Sequence, residues 1–219
     1  MNNTLDTNVS PIPFPASKRT FDIVISFLLL VLLSPFILIS VVLLLLEYIF
    51  IPKSRGPLFY KEIRYSAGAP FNFYKFRIFK QSAIETARNG NGVVHTKDLE
   101  HTKGATTYMG HLLKQVYMDE LPQLFNVLKG DMSLVGPRPT NTDNMKNLLR
   151  EKKFAKFLIK AGITGYFQSH KGEKLKENQE ETDMRYISYV KNNPGWKIIL
   201  YDTKILLITI KTIFRAEGI

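Results

Sequence analysis

The residues best suited to chemistry lie in one stretch, Met118-Asp119-Glu120-Leu121-Pro122-Gln123-Leu124-Phe125-Asn126-Val127-Leu128-Lys129-Gly130-Asp131-Met132-Ser133-Leu134-Val135-Gly136-Pro137-Arg138-Pro139. It opens on two adjacent carboxylates, Asp119 and Glu120, and closes on an arginine, Arg138, held between two prolines. Adjacent carboxylates can hold Mg²⁺, which binds through one or two carboxylates and takes its remaining ligands from substrate phosphates and water. A rigid loop with a single arginine suits bidentate phosphate contact. A carboxylate nucleophile, a second carboxylate to handle protons, a metal and an arginine together describe phosphoryl transfer through a covalent intermediate. Taken alone, Asp-Glu-x-Pro is also what the start of any stable helix shows, because the unpaired N–H groups there favour anions.

These side chains need elements to position them. Leu121, Leu124, Phe125 and Leu128 fall at helical spacing and predict a helix with one buried face, starting at the Asp119-Glu120-Leu121-Pro122 junction. Pro122 fits its first turn and Gly130 its C-cap. Another helix is expected over about 106–117. Upstream, Leu58-Phe59-Tyr60 and Phe71 to Arg77 are β-leaning segments joined by a turn at Ser66-Ala67-Gly68-Ala69-Pro70, which predicts a hairpin. Residues 81–104, with Asn89-Gly90-Asn91-Gly92, read as a polar surface loop. Trp196 to Phe214 reads as an amphipathic helix on a membrane surface, with Trp196 and Tyr201 at head-group level. Packing against the domain core would explain its pattern equally well.

From Ile23 to Leu46 no residue is charged. That is about 24 residues, roughly 36 Å of helix, against a hydrocarbon core of about 30 Å. The run is too long, and starts too late, for a cleaved signal peptide. Ser34-Pro35 interrupts it, and proline removes a backbone hydrogen bond, so a kink is expected there. Lys18 and Arg19 precede the run, while Lys53, Arg55, Lys61 and Arg64 follow it. Because cytoplasmic flanks gather Lys and Arg, basic residues on both sides favour a re-entrant helix over a spanning one.

The 219 residues carry 30 Lys+Arg against 19 Asp+Glu, a net charge of +11, so anionic partners such as lipid head groups and phosphates are expected. The absence of cysteine excludes disulfides, cysteine-ligated metals and a cysteine nucleophile. The four histidines, His95, His101, His111 and His170, show no metal-binding spacing.

The chain resembles the bacterial sugar transferases, the monotopic phosphoglycosyl transferases. The resemblance rests on Lys18-Arg19-x-Phe21-Asp22, Ser34-Pro35, Gly56-Pro57-Leu58-Phe59, Tyr74-Lys75-Phe76-Arg77, the Asp119 to Pro139 block and Gly162-Ile163-Thr164-Gly165, in family order, with a similar tail through Glu217-Gly218. It implies transfer of a sugar 1-phosphate from a UDP-sugar to polyprenyl (undecaprenyl) phosphate, releasing UMP. Asp119 would be the nucleophile, Glu120 the proton-handling carboxylate, and Mg²⁺ would sit against Asp119 and the diphosphate. Arg138 matches the family's phosphate-binding arginine, and Lys75, Arg77, Lys114 and Arg64 are the further candidates for substrate binding. Three departures bear on substrate identity. Lys114 stands where the family commonly has Arg, Tyr117 where it has Ser, and Gln168-Ser169-His170-Lys171-Gly172 replaces a Gln-Val-x-Gly-Arg pattern.

The expected fold is α+β and mainly helical. A flexible segment (1–17) leads into a membrane helix (18–52) hinged at Ser34 and Pro35, then a catalytic domain (53–219) with a short hairpin and amphipathic interfacial helices. The expected setting is the cytoplasmic face of a bacterial inner membrane, where the enzyme would start a surface glycan. The alternatives are an inactive membrane-tethered scaffold, which would have lost a catalytic group, and a lipid diphosphate phosphatase, which would need only water as acceptor. No nucleic-acid-binding motif is present, and homo-oligomer formation is left open.

Overall fold

A computed structural model describes residues 10–87, 99, 101–170 and 177–214. Its helices are α1 (Ala16–Phe50), α2 (Gln81–Ala87), α3 (Tyr108–Gln115), α4 (Gln123–Lys129), α5 (Thr142–Arg150), α6 (Ala155–Leu158), α7 (Tyr166–Ser169), α8 (Gln179–Asn192) and α9 (Gly195–Phe214). Five short strands accompany them: β1 (Phe59–Ser66), β2 (Ala69–Phe76), β3 (Ser133–Val135), β4 (Thr140–Asn141) and β5 (Gly162–Thr164). They form a three-stranded sheet, β2-β1-β4, and a two-stranded one, β3-β5. The expected mainly helical fold with a long apolar N-terminal helix and a small sheet is therefore present. Residues 1–9 of the lead-in, Asn89-Gly90-Asn91-Gly92, Lys171-Gly172 and Glu217-Gly218 lie outside the described residues.

The chain divides into two compact units. The first comprises Met1–Leu28, Ile63–Asn72 and Leu124–Ile219; the second comprises Leu29–Glu62 and Phe73–Gln123.

In the first unit the hairpin turns at Ala67 (φ 50°) and Gly68 (φ 74°). Two consecutive left-handed residues match the twist of a two-residue hairpin loop, and glycine adopts that conformation without strain. β1 pairs antiparallel with β4, Arg64 opposite Asn141. β3 pairs parallel with β5, which requires a long connection, supplied by α5 and α6. Tyr65, Met145 and Phe157 form an apolar cluster with Leu148, Leu149 and Phe154 around it. α9 buries Ile198, Asp202, Ile205, Thr209 and Thr212, one face at spacings of three and four. Its other face exposes Trp196, Leu200, Leu207 and Ile210, with Lys197, Lys204 and Lys211 also exposed. The helix thus both packs on its unit and leaves an apolar stripe edged by lysines. Tyr201 is turned inward, against Tyr189 (ring centroids 4.6 Å apart) and Tyr186 (6.2 Å).

The N-terminal end of α1 is tied into this unit by charge. Lys18 is fully buried, its Nζ 2.5 Å from Asp22 Oδ1 and 2.7 Å from Asp202 Oδ2. Ser133 Oγ donates to Asp22 (2.8 Å), and Tyr186 Oη donates to Asp202 (3.0 Å). Arg19 donates to the carbonyls of Val127 and Leu128. These two residues are consumed inside the fold and do not form a basic flank ahead of the apolar run. A lysine with two carboxylates does not present a free charge to lipid.

In the second unit α1 contributes Ser40, Leu44 and Glu47, again one face. Leu44, Phe76 and Leu113 are buried together, with Met109 and Met118 packed against them. The polar segment expected to be a loop over 81–104 begins instead as α2, whose Ile84 is buried with Ile78, Phe79, Leu99 and Ala105. Within that segment Ile84 and Leu99 are the buried members of this cluster.

α1 runs as one helix with Pro35 inside it. Proline has no N–H, so the carbonyl one turn back, Val31, loses its intrahelical donor. Ser34 Oγ donates to that carbonyl at 2.7 Å, which accounts for the Ser-Pro pairing. Between the two tied ends the exposed surface is apolar, including Phe27, Leu28, Val31, Leu32, Phe36, Leu38 and Ile39. Among the described residues α1 is the single helix long and apolar enough to cross a membrane.

Candidate active site

Asp119 and Glu120 lie in the second unit, on a 3₁₀ turn over Met118–Glu120 that precedes α4. The sequence put them in the first turn of the helix; the helix starts later, at Gln123, after Leu121-Pro122. The apolar face of α4 also differs from expectation. Leu124 and Val127 are buried with Gln123 and Asn126, while Phe125 is exposed. Gly130 ends the helix as expected, with φ +88°.

The turn is reached through Tyr117, whose φ of 57° and ψ of 18° are left-handed for a non-glycine residue. Such a conformation costs about 1–2 kcal/mol. It is held by its neighbours, because Met118 packs on the Leu44, Phe76 and Leu113 cluster and its sulfur lies 3.9 Å from Ser40 Oγ. α3, on the other side of Tyr117, is fixed at its start by Glu47 of α1. The Glu47 carboxylate accepts the amides of Tyr108 (2.8 Å) and Met109 (3.1 Å). Thr107 caps the same helix by accepting from Gly110. Glu47 escaped the sequence reading because it looked like the polar end of an apolar helix.

β2 brings Lys75 to the carboxylates. Its Nζ is 2.5 Å from Glu120 Oε1 and 3.7 Å from Asp119 Oδ2, and 5.6 Å from the centre of the Phe73 ring. Asp119 is 4% exposed, and burial pushes its carboxyl up to about 6; Lys75 and, more weakly, Lys114 oppose that shift, and Glu120 adds to it. Asp119, Glu120, Lys75 and Lys114 are thus one electrostatic group.

Arg77, two residues beyond Lys75, is 1% exposed. Its guanidinium donates to the carbonyls of Ser54 (2.8 Å), Pro57 (2.7 Å) and Phe79 (3.1 Å). Burial lowers its pKa, and Glu47 counters that. A β-carbon at Gly56 would come within 3.2–3.4 Å of this side chain, which accounts for the Gly56-Pro57 pair. Arg138 and Arg64 belong to the first unit, where Arg64 donates to the Pro139 carbonyl at 3.3 Å.

No group of three or more metal-ligating side chains occurs among the described residues, so a metal at Asp119 and Glu120 would have two protein carboxylates at most. Two adjacent carboxylates fit Mg²⁺ if phosphate oxygens and water complete the shell. A cation would also favour the ionised form that burial disfavours at Asp119.

A buried carboxylate on a strained turn, with a second carboxylate and a lysine beside it, is a set of groups that phosphoryl transfer can use. The bacterial sugar transferase family matches residues 14–216, and the chain belongs to that family of transferases. A Bacillus subtilis protein named as the uncharacterized sugar transferase EpsL is 35% identical over 204 residues, 92% of this chain and 89% of its own length. An undecaprenyl-phosphate galactose phosphotransferase of Salmonella typhimurium is 33% identical over 212 residues, 92% of this chain and 41% of its own. A UDP-glucose:undecaprenyl-phosphate glucose-1-phosphate transferase of Klebsiella pneumoniae is 33% identical over 205 residues, 88% of this chain and 39% of its own. The chain therefore spans less than half the length of those two enzymes. With its exposed apolar helix, family membership points to a membrane-associated protein.

Proposed function

We propose that this chain transfers a sugar 1-phosphate from a UDP-sugar to undecaprenyl phosphate, releasing UMP and leaving undecaprenyl diphosphate-sugar. The observation that carries the reading is the buried Asp119 carboxyl beside Glu120 and Lys75. An Asp119 oxygen attacks the β-phosphorus of the UDP-sugar; the bond to the bridging oxygen breaks, and UMP leaves with that oxygen. The phosphosugar then sits on Asp119 as an acyl phosphate. An oxygen of the lipid phosphate attacks the same phosphorus, Glu120 takes up the proton if that phosphate arrives protonated, and the Asp119–phosphorus bond breaks. Lys75 holds the two carboxylates in place and offsets their negative charge. Mg²⁺, held by Asp119 with Glu120 near, would neutralise diphosphate charge when bound. Arg138, Arg64 and Lys114 keep the proposed role of binding substrate phosphates, whereas Arg77 serves by tying the chain just after β2 to the Ser54 and Pro57 carbonyls ahead of β1.

The proposed setting is the cytoplasmic face of a bacterial inner membrane, at the start of surface glycan assembly, with α1 re-entrant through Ser34-Pro35. Support for the re-entrant form comes from the first unit. Lys18 and Asp22 at the start of α1 are bonded to Ser133 and Asp202, and no second membrane-length helix lies between α1 and those residues among the ones described. Both ends of α1 then belong on one side. The exposed stripe of α9 with its lysines would rest on anionic lipid at that side.

The test incubates the protein with Mg²⁺, undecaprenyl phosphate and a panel of UDP-sugars and measures UMP. Lipid-dependent UMP with one sugar, absent in Asp119→Asn, is the expected result. UMP that forms equally without lipid would indicate hydrolysis instead, and full activity in Asp119→Asn would remove the covalent step.

A further inference from the structure

Three consecutive carbonyls of the Gly136-Pro137-Arg138-Pro139 loop are each bonded from a different part of the first unit. The amide of Gly162, on β5, donates to Pro137 at 2.9 Å. Lys156 Nζ, on α6, donates to Arg138 at 2.6 Å. The Arg64 guanidinium, on β1, donates to Pro139 at 3.3 Å. At the front of the loop, the Gly136 amide donates to Thr164 at 2.9 Å, and a β-carbon at Gly136 would come 2.4 Å from the Lys160 carbonyl. The two prolines fix φ on either side of Arg138 and bring no N–H groups of their own. The loop backbone is therefore immobilised, and the carbonyl of Arg138 itself is the one held by an ammonium group.

That ammonium stands among charges that disagree about it. Burial lowers the Lys156 pKa; Asp183 and Glu180 on α8 favour its charged form, and Arg138 and Arg64 oppose it. Asp183 is 4% exposed, and its Oδ2 is buried without a hydrogen-bond partner. A desolvated lysine beside two arginines is a costly way to hold one carbonyl. An ordinary loop would not need it; a loop that must present an arginine at a fixed point would.

We propose that Lys156 is a positioning residue for Arg138, setting the origin and direction of the Arg138 side chain so that it meets substrate phosphate without prior ordering. This rests on the reading that Arg138 binds substrate phosphate. Lys156 itself touches no reacting atom. Its removal should weaken binding of the nucleotide sugar while leaving the chemical step alone.

The test compares Lys156→Met, Lys156→Arg and Lys160→Met in the full chain in nanodiscs. Lys160 serves as control: its backbone carbonyl borders Gly136, but its Nζ donates to the carbonyl of Gly130 at 2.6 Å, outside the Gly136-Pro137-Arg138-Pro139 loop. With the UDP-sugar that supports UMP release, Lys156→Met should raise KM about tenfold with kcat within about threefold of wild type. Lys156→Arg should recover most of that loss, and Lys160→Met should leave KM unchanged. Hydrogen exchange in the peptide over 134–141 should quicken in Lys156→Met and not in Lys160→Met. This second readout tests the clamp even if the wild-type chain yields no lipid-dependent UMP, a result that would count against the proposed function instead. Unchanged loop exchange in Lys156→Met overturns the proposal, as does a KM rise shared equally by Lys160→Met. If Lys156→Met does not fold, Lys156→Gln, which keeps a donor but loses charge and reach, is read by the same criteria.

Discussion

Lys75 stands closer to Glu120 than to Asp119, at 2.5 Å against 3.7 Å. The lysine is anchored on the carboxylate that is not the proposed nucleophile, so it can offset charge at Asp119 while sitting farther from that group's oxygens.

This arrangement predicts a pH dependence. Burial raises the Asp119 carboxyl to about 6, and in the proposed mechanism the ionised form is the one that attacks phosphorus. With substrate at subsaturating concentration, kcat/KM should climb with pH and level off above about 6, the limb lying lower when Mg²⁺ is bound because a cation favours the ionised form. Because Lys75 pulls the Asp119 pKa down, Lys75→Met should move the climbing limb to higher pH. A profile whose limb stays in place in Lys75→Met would dissociate the lysine from Asp119.

A stability consequence follows from the same shift. A carboxyl whose folded pKa lies above its unfolded value of 3.8 binds its proton more tightly when folded, so ionisation opposes folding. The opposition is absent below about pH 4, grows between about 4 and 6, and is complete above 6. Asp119→Asn should therefore be inactive yet more stable than wild type at pH 7.5, by about 1–3 kcal/mol. Thermal unfolding in nanodiscs at pH 7.5 and pH 4 would measure it. A mutant less stable at both values would show that the carboxylate is held by more than Lys75.

Glu47 offers a test of how α1 supports the catalytic turn. Its carboxylate accepts two amides at the start of α3 and counters the buried charge of Arg77. Glu47→Ala should cost about 2 kcal/mol of stability, with a smaller loss for Glu47→Gln, which retains one acceptor. Melting temperatures of the two variants, measured beside wild type, decide the point.

Trp196 is the chain's single tryptophan and is 59% exposed on α9. In nanodiscs built with brominated anionic lipid, its fluorescence should be strongly quenched relative to the unbrominated control. Leu200→Glu with Leu207→Glu should relieve the quenching. Equal emission in both kinds of nanodisc would separate this stripe from the lipid surface.

What the sequence made legible was local. Ala67-Gly68 announced the hairpin, Gly130 the end of α4, and the alternation of apolar and polar residues announced α9. The carboxylate pair was marked by residue type and order, whereas Lys75 was marked by the family resemblance. The tertiary partners were hidden. Nothing in the spacing joins Lys18 to Asp202 or Asp22 to Ser133, and an aromatic such as Phe125 fits an apolar stripe whether or not the packed face reaches it. Strands of two or three residues such as β3, β4 and β5 are too short to show a period. Arg77 looked like a ligand-binding residue because its type was visible and its three carbonyl partners were not.

The buried lysine of α1 also sets an order of events during synthesis. Lys18 and Asp22 leave the ribosome early, but Asp202, the second carboxylate that encloses Lys18, lies on the last described helix. Until that helix emerges, the start of α1 has no complete socket in the first unit. The N-terminal end of the apolar helix therefore stays unlatched through most of synthesis, and the ion pair with Asp202 can close only once the last described helix is made.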